Sequence, residues 1–242
     1  MTGSFDFSLV LLSYAISVFG SYTGLMLAGQ VSTSGKINYG WLFCAAIALG
    51  GGAIWSMHFI GMLAYKAPVA VGYDLTLTIL SMLVAIVFTG IGVFLVIRQS
   101  SMKFSTLVVA GVAMGLGVAA MHYTGMAAMK SQAAMHHDTE IVVISIVIAI
   151  VASIAALWIA FTIRKTWQKV ASAFVMGVAV CGMHYTAMLG FSMSHLEKTA
   201  ITPARFALPS SELAIYIAAA ATTVLAFSLV AVIIKTLREV ET

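Results

Sequence analysis

Hydrophobic residues in this chain fall in long unbroken runs, separated by short stretches where charged residues, Gly and Pro gather. Seven runs, near 6–28, 39–64, 75–97, 104–129, 140–163, 170–193 and 211–234, reach the roughly 20 helical residues needed to cross a hydrocarbon layer about 30 Å thick. Alternation of apolar and polar residues in the barrel manner is absent. Helices, which satisfy their own backbone hydrogen bonds in lipid, are therefore the predicted elements. The expected fold is all-α, a polytopic membrane protein with seven transmembrane helices, and its first expected partner is the lipid bilayer.

Composition agrees with this pattern. Hydrophobic residues make up 62 % of the chain and charged ones 8 %, with a mean hydropathy of +1.07, outside the balance of a soluble domain. Lys36, Arg98, Lys103, Arg164, Lys165, Lys169, Lys235 and Arg238 fall on one side of the seven spans, and Lys66, Lys130, Lys198 and Arg205 on the other. The positive-inside rule makes the richer side cytoplasmic, with the N-terminus outside and the C-terminus inside. The net charge of +4 then reflects topology. No basic stripe with interleaved aromatics is present, so no nucleic-acid partner is expected. The N-terminus lacks the positive region of a cleavable signal, so the first run is expected to remain as a span. Cys44 and Cys181 lie at different predicted depths, which argues against a disulfide.

The chain repeats. SMHFIGMLAY at 56–65, AAMHYTGMAAM at 119–129 and GMHYTAMLGF at 182–191 place His58, His122 and His184 at one register. FDFSLVLLSY, YDLTLTILSM and HDTEIVVISI align likewise, with Asp6, Asp74 and Asp138 each followed seven residues later by Ser13, Ser81 and Ser145. Three two-helix units, about 6–66, 74–130 and 138–195, plus a final helix near 211–234, account for the whole chain. Units of two spans enter the membrane in the same direction and can be set around an axis along its normal, which would bring the three His to one depth. Gly51, Gly115 and Gly177, seven residues before each His, and Gly61, Gly125 and Ala187, three after it, suit close helix packing.

Residues four apart share a helix face, so His58 stands beside Met62, His122 beside Met126 and His184 beside Met188. Met57, Met121 and Met183 precede the same three His. Thioethers are soft donors that select Cu(I), and imidazole suits several transition metals, so the mixture points to copper. One such His alone reads as a hydrogen-bond partner between helices, and one Met as packing filler; three copies at one register favour a site. Asp6, Asp74 and Asp138 are either acceptors behind ligating imidazoles or helix caps, and their place at the membrane surface favours caps. Met135, His136, His137 and Asp138 read as a solvated outer loop, and His195 has no counterpart in the other units.

MHYT at 121–124 and 183–186, with MHFI at 57–60, resembles the MHYT domain, a bacterial integral membrane sensory module, across essentially all of residues 1–242 as a single domain. The resemblance implies a sensor of O2, NO or CO in the bacterial inner membrane. It also implies a copper ion, Cu(I) or Cu(II), near the outer face, held by Met57, His58, Met121, His122, Met183 and His184. Members are often joined to cytoplasmic signalling domains that make or degrade cyclic di-GMP; none is read in these residues, and a homodimer is a further expected assembly. The first copy departs from the pattern with Phe59 and Ile60. A membrane transporter or copper-handling protein is the alternative reading, and a haem protein a third. An enzyme is not expected, since the motif helices offer no carboxylate pair and no nucleophile beside a base.

Overall fold

The computed structural model describes residues 4–33, 36–99, 103–131, 133–163, 165–196 and 207–240. The helices are α1 Phe7–Ala28, α2 Tyr39–Ala64, α3 Leu75–Ile97, α4 Phe104–Ala128, α5 Thr139–Thr162, α6 Thr166–Leu189 and α7 Ser210–Val240. Among the described residues these seven are long and apolar enough to cross a membrane, and the chain is a multi-pass membrane protein. Large apolar side chains such as Val143, Val147, Val151 and Trp158 on α5 stay exposed in the isolated chain, as a lipid-facing surface requires.

Helix starts follow the Asp repeat. The Asp6 carboxylate accepts from the Ser8 and Leu9 amides, Asp74 from Leu77, and Asp138 from Glu140 and Ile141. Each satisfies amides that a helix N-terminus leaves without intrahelical partners. The Leu9 amide, assisted by Lys66, holds the Asp6 carboxyl below its ordinary pKa of 3.8.

The sixth span is displaced from the expected 170–193. It begins at Thr166, where the Gln168 side chain accepts from the Lys165 amide at 3.4 Å. It stops at Leu189, where Gly190 caps it and the chain enters strand Phe191–Leu196, paired antiparallel with Ala133–His137. Met135, His136 and His137 thus belong to an antiparallel strand pair between distant segments and not to an open loop, with His136 and His137 still exposed. His195 lies in the same strand.

Each helix packs on its neighbours in sequence from α1 to α6, and α6 closes on α1. Six helices therefore form a ring, α2 touches both α4 and α6 across it, and α7 lies against α1 and α2. Covered by α7, α2 has 78 % of its most apolar stretch buried, against 22 % for α5. Strands Ser4–Phe5 with Tyr65–Lys66, and Gly72–Asp74 with Met129–Lys130 and Ala207–Pro209, tie the helix ends together on the face where α1 starts, hereafter the N-terminal face.

Residues Ile47–Trp55 of α2 wind as a π-helix, a form that recurs at functional sites. The sequence there is IALGGGAIW, and the Ser56 hydroxyl donates to the Gly51 carbonyl, five residues back, at 2.8 Å. A Cβ on Gly50 would stand 2.6 Å from the Ala85 carbonyl oxygen, and one on Gly52 2.6 Å from the Leu225 side chain. The glycines thus let α2 lie tightly between α3 and α7.

Candidate metal centre

His58, His122 and His184 lie in the last two turns of α2, α4 and α6, all on the N-terminal side of the bundle, and all are buried to within 1 %. Their Nδ1 atoms converge: His58 and His122 are 3.1 Å apart, His58 and His184 3.1 Å, and His122 and His184 3.4 Å. The rings meet edge to face, with centroids 4.7 to 5.2 Å apart. The three helices that the His motif marks therefore bring their imidazoles to one point.

A metal ion fits that point. A neutral imidazole carries one N–H and one lone pair, and a proton on one Nδ1 can be aimed at only one neighbour. Three mutually facing Nδ1 atoms therefore leave lone pairs opposed unless a shared cation accepts them. An atom equidistant from all three would stand about 1.9 Å from each, close to the roughly 2.0 Å of a metal–imidazole bond. Among the described residues, these three form the cluster whose geometry can hold a metal ion.

With Nδ1 turned inward, Nε2 turns outward, and there the small residues of the motif make room. A Cβ on Gly61 would lie 2.5 Å from His184 Nε2, and a Cβ on Gly125 would run into His58 Nε2. Neither Nε2 has a hydrogen-bond partner in the protein. The Asp residues do not serve as acceptors behind the imidazoles, since each caps its own helix and Asp6 also pairs with Lys66 at 3.4 Å. Met57, Met121 and Met183 are buried, as are Met62, Met126 and Met188, and all of these but Met57 belong to one apolar cluster. The converging donor atoms are the three imidazole nitrogens. Buried polar side chains among the described residues are all Ser, Thr or His, which leaves the surroundings of the cluster without carboxylates.

The sequence reading missed what holds the His helices in register. Tyr123 and Ser145 share a hydrogen bond of 2.7 Å, Tyr185 and Ser13 one of 2.9 Å, and Trp55 Nε1 donates to Ser81 Oγ at 3.0 Å. Each Ser hydroxyl donates to a carbonyl of its own helix, that of Val142, Val10 or Thr78, so the aromatic group must be the donor in all three. Every His helix is thereby fastened to the next helix in the ring, α2 to α3, α4 to α5 and α6 to α1. The divergent first copy, with Phe59, keeps the bond by another route: Trp55 stands four residues before Phe59 and so on the same face. The signal was visible in the serine seven residues after each Asp and in a tryptophan confined to the copy that lacks tyrosine.

The pairing of Ala133–His137 with Phe191–Leu196 reaches this region too. The His137 ring packs on Tyr123 and Phe191. Partial burial there, and then the charge of His136, hold its pKa below the ordinary imidazole value.

A family described as "Bacterial signalling protein N terminal repeat", MHYT, matches residues 51–110, 115–173 and 177–240, each match beginning on the glycine seven residues before a motif His. The chain is 42 % identical over 194 residues to the bifunctional diguanylate cyclase/cyclic di-GMP phosphodiesterase MucR of Pseudomonas aeruginosa, covering 78 % of this chain and 28 % of that protein. It is 34 % identical over 195 residues to the cyclic di-GMP phosphodiesterase NbdA of the same organism, covering 77 % and 24 %. The signalling protein YkoW of Bacillus subtilis is 31 % identical, with 77 % and 24 % covered. The chain thus spans about a quarter of the length of these relatives. No solved structure matches it significantly. Three family matches over most of the chain, on the helices whose histidines converge, establish that this protein belongs to the MHYT family.

Proposed function

We propose that residues 1–242 form one membrane sensory domain, built of three two-helix units and a final helix, that holds a single copper ion between His58, His122 and His184 and responds to O2, NO, CO or a change of redox state. The observation that carries this reading is the convergence of three buried Nδ1 atoms at 3.1 to 3.4 Å. Copper, rather than a harder ion, is favoured by the three imidazole donors, the buried methionines of the same motif and the lack of a buried carboxylate among the described residues. Met57, Met121, Met183, Met62, Met126 and Met188 are assigned as the sulfur donors available to complete the ligand set. When bound, the ion supplies a reversible one-electron couple and affinity for small diatomic ligands.

The chain's own residues perform the rest. The apolar core excludes water, and the glycines at 61 and 125 let the imidazoles approach. Because Tyr123, Tyr185 and Trp55 fasten each His helix to the next unit, displacement of one imidazole strains the whole ring. The Leu225 side chain packs at Gly52 in the π-helical segment, so a shift of α2 reaches α7 directly. With the N-terminus outside the bacterial inner membrane, α7 leads inward. The names of MucR and NbdA support cyclic di-GMP turnover as the output that such a domain regulates, in a fused or associated cytoplasmic domain.

Infrared difference spectra of the copper-loaded protein in nanodiscs, recorded with and without CO and then NO, test the sensing role. A gas-dependent band that disappears in His122→Ala is the expected result. Copper bound in full with no gas-dependent change would contradict it.

A further inference from the structure

Next to the His cluster, toward the middle of the bundle, lies a cavity of about 30 Å³. Ile54, Val118 and Val180 line it, and each stands four residues before a motif His. Side chains on a helix lean toward its N-terminal end, so all three imidazoles tilt toward this layer. Further walls come from Ala149, Met114 and Met183. Ser21 and Ser153 are the two polar residues of the lining. Ser21 is fully buried and its Oγ has no hydrogen-bond partner.

Size and polarity select the occupant. A water requires about 10–15 Å³ by this measure and two to four polar partners, and cavities with apolar walls stay dry. The surface of the wall is almost wholly apolar, so a water there would fall short of its partners, while the volume suits a molecule of two heavy atoms. Any ion would lose its hydration without replacement. Half-buried Ala152, Ala156 and Ala179 form the wall at the seam between α5 and α6, whose outer faces carry exposed Val151, Val175 and Val178. An apolar molecule dissolved in the hydrocarbon meets only small side chains there.

We propose that this cavity, whose lining begins one helical turn from the imidazoles, is a docking site for one uncharged diatomic molecule, which enters from the bilayer between α5 and α6 and accepts a hydrogen bond from Ser21 Oγ. The assignment rests on the sensing reading for its biological meaning, and on the cavity's own walls for size and polarity.

Crystals of the whole chain grown in lipid and pressurised with xenon test it without metal. One xenon atom among Ser21, Val118 and Val180 is expected, and its loss in both Ala149→Leu and Ser153→Leu, which fill the space from two successive turns on one face of α5. Infrared spectra of CO held by the metal-free protein should show a band that shifts in Ser21→Ala. Absence of xenon from the wild-type cavity, ordered water filling it, or a CO band indifferent to Ser21→Ala would overturn the proposal. Copper stoichiometry measured on the same variants separates the two ideas: the leucine variants should still bind copper. Xenon in the cavity of a protein that binds no copper would leave the docking site standing and remove the copper sensor.

Discussion

His58→Ala is expected to abolish stoichiometric copper binding while the seven helices still form. Loss of an interaction behind a metal ligand already costs about 10- to 100-fold in affinity, so removal of one of three ligands should weaken binding by more than about 100-fold. A ligand that binds only the folded protein stabilises it by about 4 kcal/mol at a thousandfold excess over Kd. Wild-type protein should therefore unfold at a clearly higher temperature with copper than without, and His58→Ala should unfold at the same temperature in both. Equal thermal shifts for the two proteins would remove His58 from the site. His122→Ala and His184→Ala should behave the same way, because the geometry is nearly symmetric among the three.

Gly125→Ala should give the opposite pairing of effects. Alanine is favoured over glycine inside a helix by about 1 kcal/mol, so helix content should hold or rise. The new Cβ, however, falls on His58 Nε2, and the ring must turn, carrying Nδ1 away from its two partners. Copper affinity should fall by about 10- to 100-fold, the range found when the support of a ligand is disturbed. Gly182→Ala is the matched control: its Cβ would meet nothing within 4 Å, so affinity should stay as in the wild type. Isothermal titration of both variants against the wild type reads the difference. Unchanged affinity in Gly125→Ala would mean that the imidazoles do not need the glycine.

Much of this architecture was legible in the sequence because hydrophobic length and repeat register are local properties. Seven apolar runs become seven helices, and His58, His122 and His184 meet at one point, as their matching places in the three motif copies suggest. Asp6, Asp74 and Asp138 act at helix starts because a carboxylate there meets free amides. The residues that escaped notice depend on neighbours distant in sequence. Trp55 looked like apolar bulk until Ser81 on the next helix gave its N–H an acceptor. The π-helical stretch Ile47–Trp55 follows from α2 being pressed between α3 and α7, which periodicity along one helix does not register. The end of α6 at Leu189 depends on strand Phe191–Leu196 finding its partner across the bundle mouth, whereas the hydrophobicity of Phe191 and Met193 continues the run. Small residues at 61 and 125 were legible as packing residues, but that they accommodate imidazoles emerges only when the rings are placed.

The central claim is that three histidines from three repeats share one metal. X-ray absorption at the copper edge, recorded on the purified chain together with its copper content, tests this most directly. The account predicts one copper per chain with three imidazole nitrogens at about 2.0 Å, any sulfur being an addition to that shell. Absence of stoichiometric copper, or a copper shell lacking imidazole, would contradict it.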